Sequence, residues 1–96
     1  MLYLVEIDVK IPDGIDTSRL EDLRAREKVA SSEYQRSGEW LHLWRIAGKF
    51  GNISIFDVSD HDRLNEILWS LPLFPFMTTR VLPLAHHPAA IDRRPA

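Results

Sequence analysis

A glutamate in the apolar stripe of the first predicted helix is the residue best suited to chemistry. At about 100° per residue, one helical face carries an apolar row together with this carboxylate: Leu20, Leu23, Glu27, Ala30 and Tyr34. Burial among apolar groups raises the pKa of a carboxyl. A carboxylate with a pKa moved toward neutrality can take a proton from carbon and return it. The pattern therefore predicts Glu27 as an acid–base group.

A structural role for Glu27 is the competing interpretation. Glu27 can instead pair with Arg24 or Arg45, or reach the rim of the helix and remain in water. Ion pairs that only support the fold also shift pKa values. The stripe alone leaves both interpretations open.

Polar residues in the next two predicted strands are candidates for binding a small acid. Arg45 lies in the apolar segment WLHLWRIAG, and Asn52 and Ser54 lie in its predicted hairpin partner. Such a group can bind a carboxylate and a carbonyl, or its members can satisfy one another. His42 is flanked by Trp40 and Trp44 on the same predicted strand face, and it is a candidate acid or base, or a packed histidine.

Aromatic residues offer walls for a pocket. Most are expected in the core, but an aromatic lining is usual for small organic ligands; the candidates are Trp40, Trp44, Phe56, Phe74 and Phe76. His86-His87 is too short a motif for a metal site, and we expect no metal.

Two helices and four strands must position these residues. Alternation predicts strands over residues 2–10, 40–48, 52–58 and 77–84, with a hairpin loop at 48–51. A capping box of Ser18 and Glu21 starts the first helix, which ends at Gly38. A second helix follows residues 59–62 and carries an apolar face: Leu64, Ile67, Leu68 and Leu71. Pro83 indicates an edge strand or a strand end.

The order βαββαβ predicts an α+β, ferredoxin-like domain over residues 1–84, with two helices on one face of a four-stranded antiparallel sheet. Residues 85–96 form a C-terminal arm. The second strand is apolar on both faces, with Trp40, Trp44 and Ile46 opposite Leu41, Leu43 and Ala47. An antiparallel sheet with one face in water is normally polar there. We therefore expect a homo-oligomer.

Composition narrows the class of protein. The chain has 96 residues, 45 % hydrophobic and 27 % charged, with a formal net charge of −2, which argues against nucleic-acid binding. It has no cysteine, which excludes disulfides and thiolate chemistry. No apolar run spans a membrane, and the start MLYLVEIDVK is unlike a signal peptide. We expect a cytoplasmic protein without a membrane partner.

Several longer segments resemble the muconolactone isomerase family: MLYLVEIDVKIP, AREKVASSEYQRSGEW, HLWRIAGKFGNISIFDV, LPLFPFM and PLAHHP. The resemblance runs from residue 1 to about residue 90. It implies a ferredoxin-like subunit in a decamer built from dimers, an oligomeric α+β barrel. It also implies conversion of muconolactone to 3-oxoadipate enol-lactone in the β-ketoadipate route of catechol degradation, without a metal or organic cofactor.

The resemblance implies roles for individual residues. Glu27 occupies the family's helix position for the proton-transferring carboxylate, and Arg24 is grouped with it as catalytic. Arg24 and Arg45 are candidates for the acetate carboxylate, and Asn52 or Ser54 for the lactone carbonyl. Trp40, His42 and Phe76 complete the predicted substrate-binding set.

Departures from the family pattern keep other functions open. The position of Arg24 is usually a lysine in the family, and Glu6 stands where an arginine or another residue is common. Arginine keeps the charge but changes the donor geometry. One alternative is 5-chloromuconolactone dehalogenase, which forms a dienelactone in chlorocatechol degradation. Another is a non-catalytic ferredoxin-like module that binds a small acid or builds an assembly.

Overall fold

The computed structural model describes residues 1–91, and its elements follow the predicted order. The strands are β1 (Leu2–Val9), β2 (Trp40–Arg45), β3 (Gly51–Asp57) and β4 (Met77–Leu84). The helices are α1 (Thr17–Ser37) and α2 (His61–Ser70), and a 3₁₀ turn (Phe74–Phe76) precedes β4. The strands form one antiparallel four-stranded sheet in the order β2-β3-β1-β4, so the predicted α+β, ferredoxin-like fold is confirmed. The edge position predicted for β4 from Pro83 is also confirmed.

The first helix starts earlier than the capping box predicted. Asp16 is the N-cap, and its carboxylate accepts a hydrogen bond from the backbone N–H of Arg19 at 3.1 Å. The prediction for Ser18 is wrong because aspartate caps a helix as well as serine does and comes first along the chain. The predicted end is confirmed, since Gly38 takes the left-handed conformation at φ 86°.

A bulge in β2 changes which of its side chains face the helices. Trp40 pairs with Phe56, but His42 pairs with Ile55, so one extra residue of β2 lies between the two pairs. Simple alternation put Trp40, His42 and Trp44 on one face, and that prediction is wrong. Trp40 lies on the helix face, whereas His42 and Trp44 lie on the opposite face. Their rings stack there, with centroids 5.0 Å apart. The strand also ends at Arg45 rather than continuing to residue 48.

The core lies between the sheet and the helices. Alternate residues of β1 point into it, and α2 supplies its whole apolar face; the buried set includes Tyr3, Val5, Ile7, Trp40, Phe56, Leu64, Ile67, Leu68 and Leu71. Helix α1 contributes one buried residue, Leu23. The rest of its apolar stripe is only partly covered, which leaves space beneath the helix.

The other face of the sheet carries apolar side chains without any helix over them. Leu4, Ile53 and Ile55 are half-buried, and Trp44 is 56 % exposed. The prediction of strands that are apolar on both faces is therefore confirmed.

The predicted arm has no helix or strand in its described part, residues 85–91, and these residues are exposed. The rest of that prediction, residues 92–96, lies outside the described residues.

Candidate active site

Glu27 lies in α1, and its carboxylate is hydrogen-bonded by a segment far away in the sequence. Its Oε1 accepts a hydrogen bond of 2.9 Å from the backbone N–H of Leu73, in the proline-flanked segment between α2 and β4. Burial raises the pKa of the Glu27 carboxyl above its ordinary value, and the hydrogen bond from Leu73 partly opposes that rise. Among the described residues it forms no ion pair, so the predicted pairing with Arg24 or Arg45 is absent there.

A cavity of about 270 Å³ opens beside this carboxylate, between α1 and one end of the sheet. Its polar lining comes from Glu27, Ser31, Arg45 and Asn52, and the rest is mostly apolar: Val9, Trp40, Leu43, Phe50, Leu73 and Met77. A small apolar cavity with a few converging polar groups is typical of a site for a small organic molecule. The arrangement can bind such a molecule and move a proton on it.

Arg45 and Asn52 meet in the cavity because they pair directly across β2 and β3. Ser54 lies behind them, fully buried, and its hydroxyl donates to Asn52 Oδ1 at 2.7 Å. That bond occupies the amide oxygen and leaves the Asn52 NH₂ group as the donor available to a ligand. Ser54 therefore contacts Asn52 and does not itself line the cavity.

Phe50, in the β2–β3 loop, has two guanidinium groups over its ring. The Cζ of Arg24 lies 5.6 Å from the ring centroid and that of Arg45 lies 5.5 Å from it. Arg24 itself is outside the cavity lining. Neither arginine forms an ion pair with any residue in 1–91, so both charges are available to an anion.

Comparison with known proteins identifies the family. Residues 1–90 match the family model described as muconolactone delta-isomerase. The chain is 46 % identical over 91 residues to the muconolactone delta-isomerase of Cupriavidus pinatubonensis, covering 95 % of this chain and 99 % of that protein. It is 50 % identical over 86 residues to that of Rhodococcus opacus, covering 90 % and 92 %. The chain belongs to the muconolactone delta-isomerase family.

Solved structures agree with that assignment. A crystal structure of a muconolactone isomerase superimposes with a TM-score of 0.92 at 42 % identity and covers 98 % of each chain. A 5-chloro-2-hydroxyhydroquinone dehydrochlorinase from Burkholderia phenoliruptrix superimposes with a TM-score of 0.59 at 17 % identity, which shows a shared fold alone. The family model spans every element that lines the cavity of this isomerase-family chain.

The cavity brings together some of the predicted site residues and leaves others outside. Glu27, Trp40, Arg45 and Asn52 line it. The indole of Trp40 packs on Phe56 with ring centroids 4.8 Å apart, and its N–H has no acceptor in residues 1–91. His42 lies on the open sheet face because of the bulge. Phe76 lies in the 3₁₀ turn outside the lining.

Sequence reasoning missed Phe50 and the backbone of Leu73. Phe50 lies between two glycines in a predicted hairpin loop, and a large aromatic residue in such a loop was an available signal. Leu73 could have drawn attention through Pro72 and Pro75, which hold its backbone out of a regular helix. The contacts of both residues join distant parts of the chain.

Residues 1–91 offer neither a metal cluster nor a membrane-spanning helix. They contain no cluster of three or more His, Asp or Glu side chains placed to hold a metal ion. No helix among them is both long and apolar enough to cross a membrane.

Proposed function

We propose that this protein isomerises muconolactone to 3-oxoadipate enol-lactone, the activity named in its relatives' family, within the β-ketoadipate route of catechol degradation. The observation that carries the proposal is the state of Glu27. This carboxylate has a raised pKa and no ion pair in residues 1–91, and it borders a small cavity that also presents Arg45 and Asn52. The identity of the proposed substrate follows from family membership.

The reaction moves one proton across an unsaturated lactone. The Glu27 carboxylate removes the proton from the ring carbon that bears the acetate arm. The electron pair of that C–H bond spreads through the ring double bond to the lactone carbonyl. Glu27, now a carboxylic acid, returns the proton to the carbon next to that carbonyl, so atoms and electrons balance within the substrate and one side chain. A base whose pKa is raised toward the working pH suits both half-reactions.

The Leu73 hydrogen bond prepares Glu27 for this role. It fixes Oε1, while Oε2 has no hydrogen-bond partner in residues 1–91 and serves as the proton-transferring oxygen. A carboxylate held from behind needs little reorientation between the two ring carbons. Fixed geometry of this kind lowers the barrier by reducing the loss of freedom in the transition state.

The other cavity residues bind the substrate in this proposal. The Asn52 amide donates to the lactone carbonyl, where negative charge develops, and Ser54 holds that amide in the required orientation. Arg45 and Arg24 bind the acetate carboxylate. Arg24 has no acid–base role here, because a guanidinium stays protonated. Trp40 forms a wall, and His42 and Phe76 are not included.

Turnover of muconolactone by the purified protein tests the proposal. We expect formation of enol-lactone, followed by NMR in deuterated water. Glu27→Gln should lower kcat by at least about 10³-fold, since the amide cannot act as the base. The matched control is Glu33→Gln, an exposed carboxylate on the same helix, which should keep the wild-type rate.

Two outcomes would contradict the proposal. Wild-type kcat in Glu27→Gln would remove the mechanism. Binding of muconolactone without any product would favour the non-catalytic small-acid-binding module instead.

Dehalogenation of 5-chloromuconolactone is the second candidate, favoured by Arg24 in place of the family's usual lysine. When the same ring proton is removed, the electron pair of the C–H bond can form a double bond to the chlorine-bearing carbon, and the electron pair of the C–Cl bond then leaves with chloride. Chloride release is measured beside isomerase turnover under the same conditions. A higher kcat/KM for the chlorinated lactone would identify the protein as the dehalogenase.

We also propose that the chain works as a homo-oligomer, a decamer built from dimers that closes an α+β barrel. The support is the open sheet face, where Trp44, Leu82 and Leu84 are exposed. Large exposed apolar patches are typical of interaction sites. A cytoplasmic location stays a prediction from the sequence.

A further inference from the structure

Residues from three parts of the chain converge around one aromatic ring that lines the cavity. Arg24 comes from α1, Arg45 from the end of β2 and Phe50 from the loop after it. Both guanidinium carbons lie within 5.6 Å of the Phe50 ring centroid, a distance at which a cation is attracted to the ring face. Both guanidinium groups carry a positive charge, and neither has a carboxylate partner in residues 1–91.

The backbone around Phe50 is tied to the sheet on both sides. The Phe50 carbonyl accepts from the N–H of Val9, and the Gly51 carbonyl accepts from the N–H of Ile46, each at 3.2 Å. Lys49 Nζ lies 2.8 Å from Asp8 Oδ1. The ring is therefore carried by a fixed segment of backbone, although the side chain is 46 % exposed.

We propose that Phe50 is a positioning residue that holds Arg24 and Arg45 together as one binding site for the substrate's carboxylate. The ring attracts both cations and restricts their long side chains before the substrate arrives. The carboxylate then supplies the counter-charge that these two preoriented guanidinium groups lack in residues 1–91. This inference rests on the proposed function for the identity of the substrate, but the anion site itself does not depend on turnover.

A residue that positions the two arginines differs in effect from an apolar residue that only lines the cavity. An apolar lining residue contributes to binding of the whole lactone, whether or not the acetate arm is charged. A residue that positions two cations contributes to binding of the charged form alone. Muconolactone and its uncharged methyl ester are therefore the informative pair of substrates.

The test compares Phe50→Leu, which keeps apolar bulk but removes the ring, with Phe50→Tyr, which keeps the ring. Loss of two cation–ring contacts should raise KM for muconolactone about ten-fold in Phe50→Leu and leave kcat nearly unchanged. KM for the methyl ester should move by less than about two-fold. Phe50→Tyr should restore the wild-type preference for the acid.

A double-mutant cycle adds a second readout. Arg24→Gln should raise KM for the acid in the wild-type background and have a smaller effect when Phe50 is already leucine, because the two residues act together. The control is Arg36→Gln, which removes the same charge from an exposed position at the far end of the same helix. It should not change the preference for acid over ester.

Failure of this inference is distinguishable from failure of the proposed function. If the wild-type protein turns over neither lactone, calorimetry with 4-oxopentanoate and its methyl ester replaces kinetics, and the same roughly ten-fold loss in acid binding is expected for Phe50→Leu. Equal losses of affinity for the acid and the ester would show that Phe50 only lines the cavity and would overturn the proposal. So would wild-type acid binding in Phe50→Leu, or no binding of 4-oxopentanoate by the wild type.

Discussion

At the residue scale, the molecule uses burial and one hydrogen bond to prepare a carboxylate. Glu27 is only partly covered, so its pKa rises because of lost hydration, while the Leu73 N–H keeps the charged form accessible. A fully buried carboxylate would stay protonated, and a fully hydrated one would be a weaker base. The position of Glu27 lies between these limits.

The raised pKa of Glu27 predicts an acid limb in the pH profile. Only the carboxylate can remove a proton, so kcat/KM should fall as pH falls through the raised pKa. The inflection should lie above the ordinary value for glutamate, 4.5. Initial rates measured across a pH series, at a substrate concentration well below KM, give kcat/KM at each pH and locate this inflection. An inflection at or below the ordinary value would contradict the assignment.

The raised pKa of Glu27 also predicts that the charged carboxylate, which is needed for activity, lowers the stability of the fold. A carboxyl with a higher pKa in the folded state binds more protons there, so the free energy of unfolding falls as pH rises from the unfolded-state pKa through the folded-state pKa. Glu27→Gln keeps an oxygen for Leu73 but removes the charge. At pH values above the folded-state pKa, we expect the Tm of Glu27→Gln to match or exceed that of wild type. Below the unfolded-state pKa, the difference in Tm should be smaller. Thermal unfolding at several pH values checks this, and Tm losses at every pH would contradict it.

At the element scale, the β2–β3 loop links the sheet to the site. Gly51 lies against β1 so closely that a Cβ there would be 2.7 Å from the Ile7 carbonyl oxygen. Any side chain at Gly51, the first residue of β3, must therefore push this end of β3 and the loop before it away from β1. Phe50 precedes this glycine, so the fit of the loop against β1 also sets where the ring lies.

Gly51→Ala should consequently affect both stability and substrate binding. Because backbone rather than a flexible side chain blocks the added methyl group, we expect a loss of about 1–3 kcal/mol in the free energy of unfolding. KM for muconolactone should rise at the same time through displacement of Phe50. Urea unfolding and steady-state kinetics measure the two effects. An alanine variant with unchanged stability would show that the loop can move without cost.

At the scale of the whole molecule, the sheet covers its core with helices on one face and leaves apolar residues on the other. The bulge in β2 increases this contrast, because it places Trp44 beside Ile53 on the open face. Helices α1 and α2 both lie on the opposite side. The helices of residues 1–91 therefore leave the open face uncovered.

Replacing Trp44 with glutamate should reduce the mass of the assembly in sedimentation velocity, because a charge in the centre of an apolar interface loses its hydration. Trp44→Phe is the matched control and should keep the wild-type mass. A monomeric wild-type protein, or an unchanged mass in Trp44→Glu, would contradict assembly through this face.

The sequence by itself determined the order of the elements, the Gly38 helix end and the place of Glu27 in an apolar stripe. Each depends on residues a few positions apart, where helix and strand geometry relate spacing directly to direction. Only the tertiary structure decided that His42 faces away from the cavity, that Leu73 holds Glu27 from 46 residues away, and that Phe50 joins two arginines. One extra residue in β2 reverses the faces of its side chains, and contacts between distant segments depend on how the elements pack, which local spacing does not encode.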